Sequence, residues 1–128
     1  MEKEILLVDD DPVIRLLVGD YLKACGYKIK EASGGVEALL KLREQLPSLM
    51  LLDLQMPDMS GIEVLKTISS TRNKGKIPVI LLSANADVQS LAEEAGVKAD
   101  LYLQKPFDMQ DVSRAIDRCM AANRLTNS

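Results

Sequence analysis

The chain of 128 residues contains no histidine and no tryptophan, one phenylalanine and two cysteines. Without histidine, any step that needs an imidazole as nucleophile, base or metal ligand must borrow it from a partner. Two separated cysteines, Cys25 and Cys119, make no disulfide framework; both fall on apolar helical faces and read as buried free thiols. With so few aromatic side chains, the core has to be built from Leu, Ile, Val and Ala. No apolar run approaches the roughly 18 residues a membrane-crossing helix needs, and no signal peptide is evident. A soluble cytoplasmic protein without membrane insertion is therefore expected. A net charge of −3 leaves no electrostatic footprint for direct nucleic-acid binding. The one basic stretch, RNKGK at 72–76, reads as a solvated loop.

What is present is apolar and ordered. Apolar residues make up 47% of a chain of one-domain length, enough to bury roughly two thirds of its unfolded surface. EILLV (4–8), Leu49–Leu52 and IPVILL (77–82) run apolar without alternation, as strands buried on both faces do. YKIKEA alternates, as an edge strand should, and DLYLQ (100–104) supplies a fifth strand. Between them the helical spacing recurs. A first helix runs from about Pro12 to Cys25 on Ile14, Leu17, Val18, Tyr21, Leu22 and Cys25, and stops at Gly26. A second spans Val36 to Gln45, and a third opens at SGIE with Ser60 and Glu63 as a capping box. A fourth carries Val88, Leu91, Ala92 and Ala95, and a fifth runs from about Met109 to Ala122. Strand alternating with helix over one short chain predicts an α/β fold, a parallel sheet with helices on both faces.

In such folds ligands gather outside the carboxyl ends of the strands. Those ends are occupied here by Asp9, Asp10 and Asp11, by Asp53, by Ser83 and by Lys105. Asp11 before Pro12 is read as a helix N-cap. One cap does not account for Asp9 and Asp10, and independent caps need not fall on four strand ends together. Carboxylates sharing a crevice repel by about 4 kcal/mol per pair at 4 Å and an effective dielectric near 20, so a cation must offset them. Oxygen ligands with room for water suit Mg²⁺. With that ion and Lys105 beside it, Asp53 stays ionised and attacks phosphorus. The reading is a phosphoryl acceptor.

Together LLVDDDP, LLDLQMPDMSG, LLSA and YLQKPF resemble the receiver domain of two-component response regulators, in that family's order and over nearly the whole chain. The resemblance implies a flavodoxin-like doubly wound (βα)5 fold, with five parallel strands in the order 2-1-3-4-5. The receiver domain would span 1–122 and a tail 123–128. It implies Asp53 as the phosphorylated residue and Asp10, Asp53 and the Gln55 backbone carbonyl as Mg²⁺ ligands, with Asp9 acting through water. Ser83 and Lys105 would hold the phosphoryl group, and the Lys105–Pro106 bond would be cis. Ser83 and Tyr102 would form the conformational switch, past a small Ala84, while Gln55 and Asn85 would tune dephosphorylation.

A haloacid dehalogenase-type phosphatase or phosphotransferase also uses a strand-end aspartate with Mg²⁺, but it would need Asp-x-Asp-x-Thr after the first strand, and after Asp9 and Asp11 the Thr position holds Val13. A flavin carrier would not place DDDP at a phosphate. The expected protein is a regulator, not an enzyme acting on a separate substrate. It would promote its own phosphorylation and dephosphorylation. The expected phosphodonor is a sensor histidine kinase or a histidine phosphotransfer domain. The expected reader is an effector protein or a C-terminal output domain, for which NRLTNS after Ala122 is too short. A monomer or weak dimer is expected.

Overall fold

The computed structural model describes residues 3–70 and 77–127. Its strands are β1 (Glu4–Val8), β2 (Lys28–Ala32), β3 (Leu49–Asp53), β4 (Val79–Ser83) and β5 (Leu101–Gln104). Its helices are α1 (Pro12–Ala24), α2 (Gly35–Glu44), α3 (Gly61–Ser69), α4 (Val88–Glu94) and α5 (Met109–Asn127). All strand pairs are parallel and the order is β2-β1-β3-β4-β5. The chain has the flavodoxin-like α/β fold that the resemblance implied.

The unalternating runs are buried throughout, at every position of β1, β3 and β4. Because successive side chains point to opposite faces, each strand feeds two cores. Leu6, Val8, Met50, Leu52 and Leu81 meet Ala38 of α2, Val64 and Leu65 of α3, and Val88 of α4. Ile5, Leu7, Leu51, Ile80 and Leu82 meet Val18 and Leu22 of α1, and Ile116 and Cys119 of α5. Each such aliphatic side chain contributes about 1.5–3 kcal/mol by leaving water. The alternating β2 lies at an edge and buries only Ala32.

Helix ends follow local chemistry. Asp11 Oδ1 accepts the Val13 N–H at 2.8 Å with Pro12 opening α1, and Gly26, at φ +100°, lies just past its end. Ser60 and Glu63 form the reciprocal capping box of α3, both bonds at 3.1 Å. Helix α2 is different. Its N-cap is Gly34, which brings no side chain, and its first N–H groups are taken by Asp58 from the β3–α3 loop.

Some expectations need correction. Cys25 is exposed, because α1 ends at Ala24 and turns its last residue out of the core; only Cys119 is buried. Leu17 is 56% exposed, since the buried stripe of α1 is centred on Val18 and Leu22. Strand β4 begins after Pro78, not at Ile77, and both β3 and β4 extend one residue further than expected, to Asp53 and Ser83. Helix α5 continues through Asn127, past Ala122. The stretch RNKGK lies outside the described residues. Among the described residues no helix is long and apolar enough to cross a membrane.

Candidate functional site

Parallel strands send all their carboxyl ends to one edge. There Asp9, Asp10, Asp53, Gln55, Ser83, Asn85 and Lys105 line a cavity of about 780 Å³. Two extended strands carry buried acids into it: Asp9 is 0% and Asp53 4% exposed, while Asp10 is open to solvent. Pairing of β5 with β4 continues into the bond from Lys105 N–H to the Ser83 carbonyl at 2.8 Å, which brings the lysine to the rim. Its Nζ then sits between the acids, 3.0 Å from Asp9 Oδ2 and 3.1 Å from Asp53 Oδ1. The Lys105–Pro106 bond is cis.

Asp9 is fixed from every side. Its Oδ1 accepts the Asp11 N–H at 2.9 Å, and its carbonyl accepts the Arg15 guanidinium, which pairs with Glu31 at 3.3 Å. Ser83 is 2% exposed, and its Oγ accepts the Asn85 N–H at 2.8 Å, leaving its own O–H to donate. Asn85 Oδ1 accepts the Asp87 N–H at 2.8 Å, which commits the carbonyl end of that amide. Tyr102 does not line the cavity. Its ring packs against the core on the α2, α3 and α4 side, and its hydroxyl accepts the Ala99 N–H at 3.0 Å.

Charge decides what this rim tolerates. Burial, and after it the charge of Asp9, push the Asp53 carboxyl up to about 6 against the pull of Lys105. Burial works against the Lys105 ammonium too, but the hydrogen bond to Asp9 and the charge of Asp53 prevail and hold its pKa above the usual lysine value. Carboxylate oxygens of Asp9, Asp10 and Asp53 lie within 4.8 Å of one another. Three acids facing one ammonium, without thiolate or imidazole, form a hard oxygen donor set that suits a divalent cation retaining water. The raised Asp53 pKa has burial as its main cause, and the charge of Asp9 adds to it.

A stability prediction follows from that shift. The folded pKa of Asp53 lies above the ordinary 3.8, so its contribution is fully present below about pH 4 and lost as pH rises through 6. Two pKa units correspond to about 3 kcal/mol; we take about 2 kcal/mol, because removing the charge also deprives Lys105 of a partner. In EDTA at pH 7.5, Asp53→Asn should be more stable than wild type by that amount, with the gain shrinking towards pH 4. Urea denaturation at both pH values measures it. A variant no more stable at pH 7.5 would contradict the assigned electrostatics.

Sequence reasoning missed three contributors to the rim. Leu91 of α4, with Met56 and Pro57, gives the cavity an apolar wall. Arg15 braces the Asp9 backbone. Asp58 ties the loop after Asp53 to α2, and the only sequence mark of that is a helix opening on Gly34 and Gly35 without a capping side chain.

Comparison with known proteins adds the lineage. The family model for the response regulator receiver domain matches residues 5–117. The chain is 32% identical over 118 residues to sporulation initiation phosphotransferase F of Bacillus subtilis, covering 92% of this chain and 94% of that protein. It is 36% identical over 115 residues to a gliding motility regulatory protein of Myxococcus xanthus, covering 89% of this chain and 15% of that one. It spans between 15% and 55% of the length of several curated relatives it matches. Among solved structures, a response regulator of Thermotoga maritima in complex with Mg²⁺ and BeF is 36% identical. It superposes with a TM-score of 0.80 over 91% of this chain and 98% of that one.

Proposed function

The chain belongs to the response regulator receiver domain family, and from that premise we propose that Asp53 is the phosphoryl acceptor of a phosphorylation-activated signalling switch. One observation carries the assignment: a buried carboxylate stands at the end of a central strand, 3.1 Å from an ammonium and beside two further acids, in a cavity open to solvent.

The donor is a phosphohistidine of a sensor histidine kinase or histidine phosphotransfer domain, which fits a chain that has no histidine of its own. An Asp53 oxygen attacks phosphorus in line; the O–P bond forms as the N–P bond breaks, and the imidazole leaves with the electron pair and takes a proton from solvent. Lys105, between Asp9 and Asp53, pairs with a phosphoryl oxygen, and the Ser83 O–H donates to another. Asp10, Asp53 and the Gln55 carbonyl would hold Mg²⁺, with Asp9 acting through water, and the ion would neutralise charge on the transferring group. The Thermotoga complex with Mg²⁺ and BeF supports this choice of ion. An exposed apolar strip on α1, Val13, Leu16 and Leu17 at 56–59% exposure, supports docking of a helical donor beside the rim.

Movement of Ser83 towards the phosphoryl group frees space for the Tyr102 ring. Leaving its present position costs Tyr102 the bond from Ala99, about 1 kcal/mol. A partner then reads the altered surface of α4, β5 and α5. Gln55 and Asn85 flank the water's approach to phosphorus. Neither amide removes a proton, so hydrolysis is limited by placing water, not by a base.

The test is labelling from acetyl phosphate. Mg²⁺-dependent label should vanish in EDTA, be released by hydroxylamine as an acyl phosphate is, and decay at a rate that varies little between pH 6 and 9. Label that resists hydroxylamine would overturn the acceptor assignment, and decay that steepens with pH would overturn the water-placement reading.

A further inference from the structure

We propose that Asp58 is a positioning residue of this rim: it staples the β3–α3 loop to the first turn of α2 and so holds the Gln55 backbone where a divalent cation takes its carbonyl. The inference rests on the reading of Gln55 as a ligand.

The loop leaves β3 at Asp53 and rejoins regular structure at Ser60. Its ends are set by Leu54 N–H to the Leu82 carbonyl and Gly61 N–H to the Leu54 carbonyl, both 2.8 Å. The segment between, Gln55 to Pro57, runs along the cavity wall. Asp58 follows directly, and both of its oxygens are in use. Oδ1 accepts the Gly35 N–H at 3.1 Å and the Met59 N–H at 2.9 Å, and Oδ2 accepts the Val36 N–H at 2.9 Å. The bonds from Val36 and Gly35 hold its carboxyl below the usual range, so it stays an acceptor at neutral pH.

Packing makes the same case independently. A Cβ at Gly34 would stand 2.8 Å from Asp58 Oδ1, and one at Gly35 would collide with Met59 Cγ. Two successive glycines thus open the place into which the loop fits. Asp58 thus supplies, from another loop, the cap that Gly34 lacks. The other tie at this helix start, Glu37 accepting the Ser33 N–H at 2.6 Å and the Ser33 hydroxyl at 3.2 Å, does not reach the β3–α3 loop. What Asp58 adds is a lateral tether, one residue beyond the stretch that lines the cavity.

The test compares Asp58→Ala, Asp58→Asn and Glu37→Ala with wild type, using calorimetric Mg²⁺ titration and ¹⁵N relaxation of the Gln55 and Met56 amides in metal-free protein. Asp58→Ala should raise the Mg²⁺ Kd about fivefold to tenfold and lower the order parameters of both amides. Asp58→Asn, which keeps one acceptor oxygen, should fall between. Glu37→Ala should lower the Tm and leave both readings as in wild type. Unchanged order parameters in Asp58→Ala overturn the staple itself. A mobile loop with wild-type affinity overturns the proposal through its Gln55 premise, and equal affinity loss in Glu37→Ala overturns it by reducing the effect to helix stability. Failure of the phosphoryl reading would show separately, as wild-type protein that takes no label.

Discussion

Asp53→Asn should take phosphate incorporation from acetyl phosphate in Mg²⁺ to background. The amide oxygen of asparagine carries no full charge and is a poor nucleophile towards phosphorus, while the other parts of the rim stay in place. Asp9 keeps its bonds to Lys105 and to the Asp11 N–H, and Ser83 keeps its own. The loss is therefore chemical, and the gain in metal-free stability expected of the same variant shows that it is not misfolding. Phosphate analysis of intact protein by mass measures the outcome. Wild-type labelling of the variant would move the acceptor to another residue.

The second large effect is on folding. Gly61→Ala should cost about 3 kcal/mol and lower the Tm by about 10 °C. A Cβ there would lie 2.6 Å from the Asp53 carbonyl oxygen and 3.1 Å from Leu54 Cα, both backbone atoms at the end of β3. Flexible side chains can move aside; this backbone is held in the sheet. Gly26 is the contrast. It has φ +100° and nothing within 4 Å of an added Cβ, so Gly26→Ala should cost only about 1 kcal/mol, for conformation alone. Thermal melts of the two variants compare crowding with backbone preference. A Gly61→Ala protein that melts with wild type would mean that α3 slides away from the strand without penalty.

The architecture was legible where physics is local. Unbroken apolar runs mark β1, β3 and β4, because a strand covered on both faces has no polar positions to spare. Asp53 and Ser83 stood out because each ends or follows such a run, and Lys105 because it follows the fifth strand. Asp11 and Ser60 were readable as caps because their partners lie two or three residues away. Contacts across long separations left no such mark. Asp58 bonds to backbone N–H groups 22 and 23 residues away, and every residue but proline has one. Tyr102 entered only through the family resemblance, and its bond from Ala99 depends on how the α4–β5 turn folds. The exposure of Leu17 and Cys25 was missed because helical spacing defines an apolar stripe only to about one residue of phase.

The bridging lysine has a consequence for biosynthesis. Lys105 is separated by 96 residues from Asp9 and by 52 from Asp53. A chain emerging from the ribosome exposes both acids long before the ammonium that joins them. Until β5 has emerged and added to β4, Asp9 and Asp53 would meet at the strand ends with no ammonium between them, and like charges there oppose the pairing of β1 with β3. A polypeptide that stops before β5 thus lacks the ammonium that joins the two acids of the finished rim.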